Sequence, residues 1–224
     1  SLDNNRALIV RANSATQSHL RGSVSGLGAS LEKRGNGDLL LHEHSTYTGN
    51  TTVFFGSITN YRSSVIPDQS TVDIRRGGAW NFHANGSGDI NNGVETIGAL
   101  AGGVGGILQP VAILKAHGSN PRLKVGANST NTNFTGQFTQ DQDSLTVEKI
   151  GNGAMTLSLI DSDTYAGDLV VKDGMLAIAS DSALGGSTNT GYGKLRLDGG
   201  TFHITGNTTL NADRELVLDS TGSI

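Results

Sequence analysis

The chain has 224 residues, of which 32 are Gly, 3 are Pro and none is Cys; aromatic residues make up 5% and charged residues 16%. Absence of cysteine rules out a disulfide framework, and a formal net charge of −4 without a basic stripe excludes a surface built to bind nucleic-acid phosphates. The stretch Val104 to Leu114 is interrupted by Gln109 and Pro110, and is too short to span a membrane as a helix.

The opening residues, Ser-Leu-Asp-Asn, carry neither the basic start nor the apolar core of a secretory leader, so none is expected there. Leu31–Gly37, "LEKRGNG", is a polar phrase ending in a Gly-Asn-Gly turn, after which Leu39 and Leu41 are expected to begin an inward-facing strand. Farther along, Val72-Asp-Ile74, Leu123-Lys-Val125, Leu145-Thr-Val147, Leu195-Arg-Leu197 and Phe202-His-Ile204 alternate apolar and polar residues with the strand period of two. Gly, Asn or Asp follows these runs closely and suits tight turns. "VETIGAL", Val94 to Leu100, comes nearest to a helical pattern and is too short for one. The last phrase, "RELVLDSTGSI", runs a fresh strand to Ile224 without a polar cap, so an uncapped piece of a longer solenoid is expected.

The chain repeats itself. Five of the seven residues in Leu31–Gly37 recur in Val147–Gly153, "VEKIGNG". "STYTGNTTV" (Ser45 to Val53) matches "DTYAGDLVV" (Asp163 to Val171), and Gly56-Ser57-Ile58 matches Gly174-Met175-Leu176. "RGGAWNF" (Arg76 to Phe82) lines up with "DGGTFHI" (Asp198 to Ile204), and Leu20–Val24 with Phe134–Phe138. The offset drifts from 114 (134 minus 20) to 122 (199 minus 77), as small loop insertions would produce.

Many short strands suit a sandwich, a barrel or a parallel β-helix. Internal self-similarity favours stacked coils, and so the β-helix. Coils of roughly twenty residues, with rungs about 4.8 Å apart, predict on the order of ten rungs and a rod about 50 Å long. The expected organisation is one solenoid over residues 1–224, with repeat copy one at about 18–100, a linking segment at about 101–131 and copy two at about 132–224.

Leu145 to Gly185 resembles the passenger-associated repeat of bacterial autotransporters. The matching positions are Lys149, Gly151, Gly153, Leu157, Thr164-Tyr165, Gly167, Val170-Val171, Gly174, Leu176 and Ala183-Leu184-Gly185. Copy one matches through Lys33, Gly35, Gly37, Leu39, Leu41, Thr46-Tyr47, Gly49 and Val53, then diverges, with "VIPDQS" where Ala-Leu-Gly would stand. The resemblance implies a right-handed parallel β-helix exported by the type V route, with an outer-membrane β-barrel translocator as partner in the full-length protein. It implies a place on the bacterial cell surface, or release after cleavage.

Candidate chemistry is sparse. His42 and His44, two residues apart, would share one strand face and could hold a metal; His19, His83, His117 and His203 read as isolated. Asp141/Asp143 and Asp161/Asp163 suggest calcium or glycoside hydrolysis, but turn-forming aspartate accounts for them better. "GSVSG" (Gly22 to Gly26) lacks the spacing of a nucleophile elbow, and "AGGVGG" lacks the Lys-Ser/Thr of a phosphate loop. Trp80 alternates with Phe82 and is expected in the core rather than on a sugar-binding surface. No catalytic, cofactor-binding or metal residue is assigned, and no cofactor is expected.

The leading functional expectation is a non-enzymatic stalk that spaces a functional tip from the cell, or binds host surfaces, glycans or like chains directly. The alternatives are the stalk of an autotransporter protease or esterase whose catalytic domain lies outside this chain, and a polysaccharide-acting β-helix.

Overall fold

The computed structural model describes residues 5–13, 17–75, 77–83, 93–103, 112–140, 144–160, 165–186 and 191–219. Strand pairings there are parallel, from Ala7–Arg11 against Ser30–Arg34 to Leu195–Leu197 against Leu216–Leu218. They form three long faces. The first has nine strands, from Ala7–Arg11 to Thr201–Ile204; the second has six, from Ser18–Leu20 to Gln137–Gln140. The third is split into a pair, Ser25–Gly26 with Thr46–Tyr47, and a six-stranded sheet from Val94–Ile97 to Leu216–Leu218.

Strand order in each face follows the sequence, so each coil lies directly on the one before. This is a parallel β-solenoid, as the repeat and strand period predict. Nine strands on the first face leave eight intervals, a stack of about 40 Å at the usual strand spacing. It is shorter than expected because some coils are long: successive first-face strands begin at Thr71, Ala99 and Thr132. Within 101–131, Ile113–His117 and Arg122–Val125 are each paired on both sides.

Alternation explains the core. Each strand turns every second side chain inward, and parallel register stacks those side chains into columns. On the second face Leu39, Ile58, Trp80, Leu114 and Phe138 stack in one column, all buried. On the third face Val125, Lys149, Val171 and Leu197 stack; on the first, Val10, Lys33, Val53 and Ile74. Both columns contain a buried lysine at a position otherwise filled by an aliphatic residue.

The two repeat copies do not sit above one another. Lys33 lies on the first face and Lys149 on the third; Val53 lies on the first and Val171 on the third. Trp80 belongs to the second face and its counterpart Phe202 to the first. Copy two is therefore turned by one face relative to copy one. The phrase specifies a corner, and it works at two different corners of the coil.

Candidate functional site

The corner is built identically in both places. Lys33 sends its side chain inward and then along the bend, where Nζ donates to the carbonyls of Arg34 (3.1 Å), Gly35 (2.7 Å) and Phe55 (3.1 Å). Lys149 Nζ donates to Ile150 (2.7 Å), Gly151 (2.6 Å) and, one coil on, Asp173 (3.2 Å). Each ammonium thus satisfies carbonyls that a sheet cannot reach at a bend, and ties one coil to the next. Burial lowers both lysine pKa values, with Asp38 and Asp173 respectively opposing the shift. Gly56 and Gly174 complete the bend at φ 65° and 61°. A Cβ on either would lie 2.3 or 2.4 Å from the carbonyl oxygen of Gly37 or Gly153. Both lysines are buried, and each ammonium bonds three backbone carbonyls.

The third face is interrupted at the coil containing residues 61–70, which carries no strand. A groove of about 500 Å³ opens there between His44–Thr48 and Ser64–Gln69. Below it lies Glu95, fully buried in a column continued by Leu123, Val147 and Leu169. Burial pushes the Glu95 carboxyl up to about 8, against N–H groups of Ser64 and Ile66 that favour its charge. Ser64 has a left-handed backbone, φ 57°. Its N–H donates to Glu95 Oε2, and its carbonyl accepts from His44 Nδ1. Glu95 and His44 therefore grip the backbone of Ser64 from both sides and hold the loop where strand pairing is missing. Beside it, Tyr47 is buried, with its hydroxyl 2.5 Å from Thr51 Oγ1.

Two surfaces face solvent with ordered chemistry. On the outer side of the third face, ion pairs link adjacent coils: Arg122 with Glu148, Lys172 with Asp198 (3.6 Å), Lys194 with Glu215 (2.9 Å) and Arg196 with Asp219 (2.9 Å). Both signs are represented in its trough of about 280 Å³, so it attracts no single class of charged polymer. On the second face, His42, Tyr61, His83 and His117 occupy the same position in successive coils. The His42 and Tyr61 ring centroids are 4.7 Å apart, and those of His83 and His117 are 4.5 Å apart and nearly parallel. His19 joins from the preceding coil, its Nδ1 2.9 Å from His42 Nε2.

The sequence-based site expectations fare unevenly. His42 and His44 part company: His42 meets His19 and Tyr61, and His44 turns to Ser64. His19, His83 and His117 are not isolated, while His203 is exposed on its strand. Trp80 is buried and donates through Nε1 to Asn60 Oδ1 at 3.1 Å. Asp141, Asp143, Asp161 and Asp163 lie outside the described residues. Among the described residues no group of three or more His, Cys, Asp or Glu gathers as metal ligands. Sequence reading overlooked Glu95, although "ETIG" places Glu in phase with Leu of "LKVG", a visible sign of an inward carboxylate. No protein-family model matches the chain, and neither does any curated protein or solved structure.

Proposed function

We propose that this chain is a rod segment of an autotransporter passenger, acting as a non-enzymatic spacer or adhesive stalk on the bacterial surface. The observation that carries this reading is the reuse of the Lys-x-Gly-x-Gly corner at two different corners of one continuous stack. A sequence repeated for that purpose is devoted to extending a coil, and the polar groups it brings together hold backbone. The resemblance of Leu145–Gly185 to the passenger-associated repeat supplies the export route and the outer-membrane β-barrel partner.

The test is the full-length coding sequence, expressed in a bacterial host with an outer membrane. A C-terminal β-barrel and protease-accessible display of this segment are expected; a full-length protein without a translocator would overturn the proposal. Excision of whole coils then separates the two stalk roles. A spacer loses reach in proportion to the coils removed, whereas an adhesive segment loses cell or surface binding outright.

A further inference from the structure

The second face carries a pair of imidazoles that its packing does not require. His19 and His42 lie on adjacent coils, on the outward side of strands in which Leu20 pairs with Leu41. His19 is opposite Leu40, so His42 stands two residues farther along, a diagonal separation that imidazole rings readily bridge. Nδ1 of His19 and Nε2 of His42 approach to 2.9 Å, with ring planes 27° apart. Tyr61 covers the other side of the His42 ring at 4.7 Å and limits its rotation.

The distance between the nitrogens selects a coordination geometry. Metal–imidazole bonds of about 2.0–2.1 Å place two nitrogens about 2.9 Å apart at a right angle and about 3.3 Å apart at the tetrahedral angle. The observed 2.9 Å is that of an N–H···N hydrogen bond between the two rings, and a metal ion that displaced its proton without separating the nitrogens would be held at the right-angle value. Square-planar and tetragonal sites with nitrogen ligands belong to Cu²⁺ and Ni²⁺, and Cu²⁺ heads the divalent affinity order. We propose that His19 and His42 form a cis-chelating surface site for a late divalent transition-metal ion, Cu²⁺ above all, with water in the remaining positions.

The surroundings set how strong such a site is. Arg21 and Arg62 place positive charge near His42, and Glu43 places negative charge there. The two arginines repel a cation, so the site is moderate in affinity and Glu43 is the group that offsets them. His44 contributes nothing, because its ring turns away to the third-face groove and the Ser64 carbonyl.

Titration of the intact chain with CuCl₂ in a non-coordinating buffer, followed by calorimetry and electron paramagnetic resonance, tests this directly. One Cu²⁺ per chain with two imidazole nitrogens is expected, and Zn²⁺ should bind more weakly. H19A and H42A should each weaken Cu²⁺ at least tenfold with unchanged circular dichroism, while H44A and H203A bind as wild type. Undiminished binding by the H19A–H42A double variant would overturn the proposal. Loss of the site in H44A, or tighter binding of Zn²⁺ than Cu²⁺, would do the same.

Discussion

Lys33 and Lys149 perform one task at different corners of the coil, and the differences around them show what the task needs. In both, an ammonium buried in an aliphatic column reaches three backbone carbonyls, two in its own bend and one in the next coil. Around the bend, several neighbours differ. Arg34 pairs with Glu32 and lies over Phe54 at 4.4 Å, whereas its counterpart is Ile150 and the ring is replaced by Lys172. Asp38 accepts from Ser57 (2.7 Å) and Thr59 (2.9 Å), whereas Ala154 stands in its place in copy two. The inner half of the phrase is fixed by hydrogen bonding and close backbone approach, while the outer half varies with whatever neighbours the face provides. Corners of this coil are interchangeable because each must solve the same problem of turning a chain without stranding carbonyls.

The comparison is broken most severely at the aliphatic positions stacked on each lysine. Val53 and Val171, both fully buried, align between the copies. V53D and V171D would each bury a carboxylate beside a lysine whose ammonium is already committed to backbone carbonyls, with an expected loss of about 3–5 kcal/mol. Denaturant unfolding reads the effect, and equal losses would support equivalent corners. Unchanged unfolding of either variant would show that its strand does not face inward.

The interrupted third face offers a contrast within copy one, since Glu95 replaces an aliphatic residue there without a counterpart lysine corner. Its carboxyl titrates near 8 in the fold, against about 4.3 in an unfolded chain. Between those values the folded protein holds a proton that the unfolded chain has lost, so stability falls as pH rises, by up to about 1.4 kcal/mol per unit. The Glu95→Gln variant should lack this slope and overtake wild type as pH approaches 8. Parallel pH profiles for the two proteins would place the titration elsewhere.

Much of this architecture was legible before the structure. Alternation marked Trp80 as inward and the Gly-Asn-Gly turn marked Leu39 as the start of an inward strand, while the repeated phrase marked a stacking unit; both side chains are buried. Partnerships between coils were not legible. His19 and His42 are 23 residues apart, and His83 and His117 are 34 apart (117 minus 83), because loops between strands differ in length. Register therefore has no fixed sequence offset, and a diagonal pair cannot be counted off along the chain. His42 and His44 shared a face only if the strand continued, but it ends at Leu41. In the sequence the lysines stand out only as positions of the family pattern; their burial follows from lying in phase with Leu31 and Val147, inward neighbours two residues earlier.

Smaller effects sharpen the corner itself. G56A and G174A would bring a Cβ within 2.3 and 2.4 Å of a carbonyl oxygen at positive φ, with an expected loss of about 1–3 kcal/mol. Thermal unfolding should show matched losses in the two variants. A tolerated alanine at one site alone would mean that the two bends close differently.

The mildest change removes the ammonium. Lys33→Met and Lys149→Met keep the aliphatic stem in its column and delete the donors to three carbonyls. Relief from burying a charge offsets part of that loss, leaving an expected cost of about 1 kcal/mol at neutral pH. Its pH dependence distinguishes the lysine from a mere space-filler. Burial lowers the folded pKa of both lysines, so above that lowered value the unfolded chain binds more protons than the fold. Wild type should therefore gain on each Met variant as pH climbs toward the ordinary lysine range. Unfolding midpoints measured from pH 7 to 10 should diverge for both pairs. A constant difference would mean that the ammonium is solvated at the bend, and that glycine geometry alone makes the corners alike.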